Sequence, residues 1–98
     1  MPLFLCRLLP PRASFSSDMS DEERAMMVEH VAYWRELLEQ GRVVAFGPVA
    51  DPAGGWGVSV VDAEDEDAVE AMIAGDPVKR RGVGFRYELF AMPGAFAR

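Results

Sequence analysis

The stretch "RVVAFGPVADPAGGWGVSVVD", Arg42 to Asp62, decides the fold because it places two predicted strands next to each other along the chain. The run "RVVAFGPV" is rich in apolar and β-branched residues and ends at Gly47-Pro48, and "WGVSVVD" has the same strand-like composition. Between them lies "ADPAGG", a segment of turn-forming residues. Two such runs joined by a turn predict a β-hairpin, and the other elements are assigned outward from it.

A long helix is predicted immediately before this hairpin. Ser20 is a favourable N-cap, and Glu23 stands three residues later, which is the spacing of a capping box. Gly41 is expected to end the helix, because glycine adopts the left-handed backbone conformation without strain. We therefore predict a helix from Asp21 to Gln40.

A second helix is predicted immediately after the hairpin. Asp62 can cap it, and further acidic residues occupy its first turns, where the helix dipole favours negative charge. Gly75 and Pro77 are expected to end this helix. Such a run of carboxylates could suggest a metal site, but the start of a helix explains it without a metal. The acidic residues concerned are Asp62, Glu64, Asp65, Glu66 and Asp67.

The two ends of the chain supply the remaining strands. "PLFLCRLL", Pro2 to Leu9, and "GVGFRYELFAM", Gly82 to Met92, have strand composition, and Pro10 to Ser20 is predicted to be a polar loop. The order strand, helix, strand, strand, helix, strand is typical of the ferredoxin-like α+β fold, a four-stranded antiparallel sheet with two helices on one face. We expect residues 1–98 to form one such domain.

Both faces of the predicted sheet carry apolar residues. Two helices cover only one face, and a solvated second face should show polar residues at every other position. A second copy of the chain would cover the remaining face, so we predict a homodimer formed through the sheets. In the first strand, Leu3, Leu5 and Leu9 alternate with Phe4, Cys6 and Leu8.

The composition argues against several classes of protein. A net charge of −6 is unfavourable for binding nucleic acid, and no apolar run approaches the length needed to span a membrane. The opening segment is interrupted by Arg7 and lacks the basic start of a secretory signal. The single cysteine, Cys6, can form no internal disulfide and belongs to no metal-binding pattern. We therefore expect a cytoplasmic protein.

The only histidine, His30, lies on the apolar stripe of the first predicted helix. An imidazole at such a position faces the core, where it serves either as a hydrogen-bonded packing residue or as a proton acceptor held in place by the helix. The other residues of the stripe are Met27, Val31, Trp34, Leu37 and Leu38.

Asp76 extends the inward-facing row of Val69, Met72 and Ile73 at the point where the second helix ends. Negative charge is unfavourable at a helix C-terminus, and a carboxylate among apolar neighbours needs a compensating partner. We therefore predict that Asp76 faces His30 across a cleft, fixes the tautomer of the imidazole and leaves its other nitrogen free to take a proton. The alternative is that Asp76 only forms an Asp-Pro turn.

Three further residues are candidate substrate contacts beside this pair. Trp34 lies one helical turn beyond His30, and Phe46 and Gly47 lie in the second strand, where a glycine allows close approach of a ligand. The alternative interpretations are that Trp34 packs in the core, as most such residues do, and that Gly47 with Pro48 only ends a strand.

The segments "EHVAYWRELLEQGRVVAFGPV", "AGDPV" and "YELFAM" together resemble the YCII-related (YciI-like) family, over about Glu29 to Met92. The resemblance implies a ferredoxin-like fold, sheet-to-sheet dimers of the dimeric α+β barrel type, and an active site at the His30–Asp76 pair. The family's substrates are largely unknown, so the resemblance implies a site and not a substrate. The positions that match its pattern are His30, Gly41, Arg42, Gly47, Pro48, Asp76 and Pro77.

Three functions remain open at the level of the sequence. In the first, the protein is an isomerase- or lyase-type enzyme in which His30, oriented by Asp76, removes a proton from a small molecule. In the second, it is a non-catalytic homodimeric module that binds a small ligand or supports a partner subunit. In the third, His30 and Asp76 are a buried stabilising contact. No phosphate loop, dinucleotide fingerprint or zinc ligand set is present in the sequence, so we expect no cofactor.

Overall fold

The computed structural model describes residues 2–98 and contains a four-stranded antiparallel sheet with its helices on one face. The spatial order of the strands is β2-β3-β1-β4, which confirms the predicted ferredoxin-like α+β fold. The elements, in chain order, are β1 (Leu3–Leu9), α1 (Phe15–Asp18), α2 (Asp21–Glu39), β2 (Val43–Val49), β3 (Trp56–Asp62), α3 (Glu66–Ala74), α4 (Pro77–Arg80) and β4 (Arg86–Ala91).

Helix α2 begins as the sequence predicts. The Ser20 side chain accepts a hydrogen bond from the Glu23 backbone N–H, and the Glu23 carboxylate accepts one from the Ser20 backbone N–H. The predicted apolar stripe is only partly correct, because Val31 and Leu38 are exposed. The side of α2 that packs on the sheet carries instead Met26, Trp34 and Leu37, all buried.

The start of the second long helix differs from the prediction. Asp62 is the last residue of β3, where it pairs with Leu3, so its backbone belongs to the sheet and cannot cap a helix. The N-cap of α3 is Asp65, whose side chain accepts a hydrogen bond from the Ala68 backbone N–H at 2.9 Å. Pro77 does not simply end α3 but begins the short helix α4, of which Asp76 is the N-cap.

Strand β2 continues beyond the predicted stop at Gly47-Pro48 and ends at Val49. This is possible because β2 lies at the edge of the sheet, where a proline that lacks an N–H is tolerated.

The predicted loop between β1 and α2 contains the helix α1. Phe15 anchors it by packing edge to face on Phe85, with ring centroids 5.1 Å apart, and both side chains are buried. Arg12 ties the segment to α2 through a bidentate ion pair with Glu23 and also pairs with Asp18. Phe15 and Arg12 together therefore give this polar segment a fixed position.

The sheet buries one face and leaves the other open. Phe4, Cys6, Leu8 and Val61 point toward the helices and are buried in the core. The opposite face of β1 carries Leu3, Leu5, Arg7 and Leu9, which are all partly exposed. Arg7 stacks on Trp56 and pairs with Glu88 at 3.3 Å, and Phe90 beside them is 51% exposed. This open sheet face is the surface that the sequence predicts to be covered by a second copy.

No helix within residues 2–98 is long and apolar enough to cross a membrane.

Candidate active site

The structure brings His30 and Asp76 into direct contact, although they are 46 residues apart in the chain. The Nδ1 atom of His30, on α2, lies 2.8 Å from Oδ2 and 3.0 Å from Oδ1 of Asp76. Asp76 stands between α3 and α4, and its backbone turns there because Pro77 is well suited to the first position of the following helix. The two side chains are therefore neighbours in the fold, as the sequence predicts.

The Asp76 carboxylate is fully buried and is surrounded by hydrogen-bond donors. Oδ2 accepts from Trp34 Nε1 at 2.7 Å and from the Tyr87 hydroxyl, and Oδ1 accepts from the Val78 backbone N–H at 3.0 Å. Burial by itself raises the pKa of Asp76. The hydrogen bond and the charge of His30, with the hydrogen bonds from Trp34 and Tyr87, outweigh that effect and hold the pKa below its usual value. Asp76 is therefore an anion at neutral pH.

The hydrogen-bond network assigns the tautomer of the neutral imidazole. An ionised carboxylate can only accept, so the Nδ1 atom of His30 must carry the proton that lies between the two side chains. The neutral ring then has an unprotonated Nε2, which is the nitrogen that can take up a proton.

A cleft of about 980 Å³ reaches the imidazole. Its walls come from the end of β1, α1, the middle of α2, the β2–β3 hairpin and the start of β4. The side chain of His30 is 12% exposed, whereas that of Asp76 is fully enclosed behind it. Most of the lining is apolar, including Phe15, Met19, Met27, Val31 and Phe85.

The three predicted substrate contacts all line this cleft. Phe46 and Gly47 form part of the wall contributed by β2, and no atom lies within 4 Å of the position that a Cβ on Gly47 would take. Trp34 is almost completely buried and also lines the cleft, so it is both a core residue and a lining residue. Its indole N–H is directed at Asp76 and not at the cleft.

Two contributions to the site are not predicted from the sequence. Tyr87 donates to Asp76 from β4, and Phe15 and Met19 form a wall of the cleft from a segment predicted to be a polar loop. A tyrosine that alternates with outward-facing residues in a strand faces the core and needs a partner for its hydroxyl, which is a usable signal for Tyr87. The described residues contain no group of three or more side chains placed to hold a metal ion.

Gly75 sets the approach of Asp76 to α2. A Cβ added to Gly75 would lie 2.5 Å from the hydroxyl oxygen of Tyr33, which itself donates a hydrogen bond to the Met72 carbonyl. Gly75→Ala is therefore expected to displace the Tyr33 ring and lower the free energy of unfolding by about 1–3 kcal/mol.

Urea denaturation of Gly75→Ala measures this effect, and Gly47→Ala is its control. The Gly47 position has open space for a Cβ, so the control is expected to change the unfolding free energy by no more than about 0.5 kcal/mol. Equal stabilities of the two variants would contradict the assigned role of Gly75.

The profile of the YCII-related domain family matches residues 4–93. Among solved structures, the chain is similar to 5-chloro-2-hydroxyhydroquinone dehydrochlorinase from Burkholderia phenoliruptrix AC1100 in complex with 2,5-dihydroxybenzoquinone. The two share 19% identity with a TM-score of 0.61, over 88% of this chain and 90% of that chain, a likeness of fold. No curated protein matches the chain.

Proposed function

Since the chain belongs to the YCII-related domain family, we propose that it is a small-molecule enzyme in which His30 acts as a general base. Asp76 holds the Nδ1–H of the imidazole, and Nε2 removes a proton from a substrate bound in the cleft. The observation that carries the proposal is the position of His30, because the imidazole has a buried anionic partner on one side and an open cleft on the other.

The reaction that we propose is an elimination or an isomerisation. The electron pair of the broken C–H or O–H bond forms a new double bond, and the proton passes to Nε2 of His30. In an elimination, a leaving group departs with the electron pair of its own bond. In an isomerisation, an existing double bond of the substrate breaks instead, and its electron pair forms a new bond to the proton that the protonated imidazole returns at another atom. No cofactor is needed for either sequence of steps.

The chemistry of the cleft and the named neighbour suggest the substrate class. The cleft that reaches the imidazole is also lined by Phe15, Phe46 and Phe85, and such a surface suits a planar, largely apolar ring. The solved neighbour is a dehydrochlorinase in complex with a dihydroxyquinone. We therefore propose a small hydroxylated ring compound as the substrate of this chain.

A binding and exchange experiment tests the proposal. Thermal-shift measurements with 2,5-dihydroxybenzoquinone, simple phenols, small carboxylates and lactones identify ligands, and NMR in D₂O then measures deuterium incorporation into each ligand. We expect at least one ring compound to bind and to exchange a proton in the presence of wild-type protein. Exchange that is equally fast with wild type and with His30→Gln would contradict the role of His30 as the base.

The second candidate function is a non-catalytic binding module. It is favoured by the largely apolar lining of the cleft, which can bind a small molecule without any chemistry. In that case His30→Gln keeps ligand affinity within a few-fold, because the glutamine amide can replace a hydrogen bond but not a base. Ligands that bind wild type and His30→Gln equally, with no exchange in either, would support this function.

We further propose that the protein is a cytoplasmic homodimer joined through the open sheet face. That face carries Leu5 and Phe90 directly opposite each other on β1 and β4, and exposed apolar surface of this kind is characteristic of interfaces. A two-fold axis would place the same residues of both copies in contact.

Sedimentation at micromolar concentration tests the homodimer. Wild type is expected to sediment as a dimer and Phe90→Asp as a monomer, because the substitution places a charge at the centre of the interface. Phe96→Asp is the control, since Phe96 is fully exposed and follows the last strand. A wild type that remains monomeric would contradict the prediction.

A further inference from the structure

We infer that Tyr87 is a positioning residue for the proposed base, because its hydroxyl holds the Asp76 carboxylate from the side of the sheet and so keeps His30 directed at the cleft. This inference rests on the function proposed for His30. Tyr87 also lines the cleft, but in this role its hydroxyl is bonded to Asp76 and not to the reacting nitrogen, so it acts through Asp76.

The donors to Asp76 come from three different elements. His30 and Trp34 are four residues apart on the same face of α2 and approach the carboxylate together. The Val78 backbone N–H approaches from the first turn of α4. Tyr87, on β4, is the only hydrogen-bond donor to Asp76 that the described part of the sheet supplies. Without its hydroxyl, the carboxylate would be fixed relative to the helices but not relative to the sheet that forms the floor of the cleft.

The charges around the site are consistent with this role. The titratable groups that face Asp76 and Tyr87 are His30 and Tyr33 from α2 and Cys6 from β1. Burial raises the pKa of Tyr33 and of Cys6, so both stay neutral at physiological pH. Burial, followed by the negative charge of Asp76, also raises the pKa of Tyr87 well above its usual range. The Tyr87 hydroxyl therefore stays protonated and remains a donor.

Tyr87→Phe removes this one contact and keeps the ring. The ring packs beside Trp34, with centroids 6.3 Å apart, and phenylalanine can retain that packing. Tyr33→Phe is a matched control, because it removes the same hydroxyl from a neighbouring tyrosine that donates to the Met72 carbonyl and not to Asp76. Both variants lose one buried hydrogen bond, so both are expected to lose some stability.

The discriminating measurement is the titration of Asp76. In protein labelled with ¹³C-aspartate, the Asp76 carboxyl signal is the one that is missing from Asp76→Asn. We expect Tyr87→Phe to raise the pKa of Asp76 toward its ordinary value, because a donor to the anion is lost, and Tyr33→Phe to leave it unchanged. If the Tyr87 hydroxyl does not hold the Asp76 carboxylate, the two variants have the same Asp76 titration, and that result would overturn the inference.

Two further readouts complete the test. In the wild type, the Tyr87 hydroxyl proton should appear as a slowly exchanging downfield NMR signal. The same signal should persist in Tyr33→Phe. Its absence from the wild type would overturn the inference, even if Tyr87→Phe failed to fold. With a substrate in hand, Tyr87→Phe should lower kcat by about ten-fold or more with little change in KM, since a misplaced base affects the chemical step. The NMR measurements need no substrate, so a lack of turnover would count against the base and not against Tyr87.

Discussion

Asp76→Ala is expected to lower the free energy of unfolding by about 3–5 kcal/mol, the effect of removing one partner from a buried charged pair. The substitution removes the common acceptor of His30, Trp34, Tyr87 and the Val78 backbone N–H. These groups are packed around the carboxylate. A buried donor without an acceptor has given up its hydrogen bonds to water and forms none within the protein, which is unfavourable. It also removes the N-cap of α4.

Urea denaturation at neutral pH measures this loss. Asp67→Ala is the control, because Asp67 is an exposed acidic residue in the first turn of α3, where its removal is expected to cost less than about 1 kcal/mol. Asp76→Asn is expected to lie between the two, since the amide keeps one oxygen as an acceptor but adds two N–H donors that meet other donors. An Asp76→Ala variant as stable as the control would contradict the assignment of Asp76 as the centre of this network.

The same carboxylate sets the response of stability to acid. The pKa of Asp76 is lower in the folded chain than its ordinary value of 3.8, so the folded state binds fewer protons than the unfolded state. The stabilisation is therefore fully present above that value and is lost as the pH falls through the folded-state pKa. Asp76→Asn removes the titrating group, so its unfolding free energy should fall less steeply below about pH 4.

The second large effect is expected in kinetics. For any substrate identified by the exchange experiment, His30→Gln should lower kcat by about 10²–10⁴-fold, the usual contribution of a general base. Glutamine can still donate a hydrogen bond to Asp76 from its amide, so its effect on stability should be much smaller than that of Asp76→Ala. A large loss of kcat with a small loss of stability is the result expected for a base, whereas a packing residue would show the loss mainly in stability.

Arg24→Gln is the control for this measurement. Arg24 lies on the same helix, is exposed and does not line the cleft, so the variant should turn over substrate at the wild-type rate. A His30→Gln enzyme with unchanged kcat would show that the imidazole is not the base, and the binding module would then be the better description.

The fold could be predicted because its signals are local. The capping box at Ser20 and Glu23 and the hairpin from Arg42 to Asp62 depend on residues close together in the sequence, and the structure has both. The resemblance to the YCII-related domain family, read from the motifs around His30 and Asp76, is likewise confirmed by the match over residues 4–93.

The prediction fails where two local preferences compete. Asp62 and Asp65 are both good N-caps, and the choice between them is made by the pairing of Asp62 with Leu3, a contact that spans most of the chain. Phe15 is similar, since the surrounding serines indicate a loop. Its ring is buried in a cluster with residues that lie far away in the sequence, among them Val78 and Phe85. In the candidate site, the apolar periodicity of the helices identifies His30 and Asp76. The contact of Tyr87 with Asp76 could not be predicted in the same way, because it depends on the register of β4 in the sheet.

Asp76 connects α2, the start of α4 and β4 through one carboxylate, and this has a consequence for partly folded forms of the protein. A chain that has lost either its last strand or its long helix lacks part of the network that holds the imidazole, whatever else it retains. The activity proposed for His30 should therefore be proportional to the population of native molecules. Heat inactivation and the melting of the sheet should follow a single curve, with no active intermediate between them.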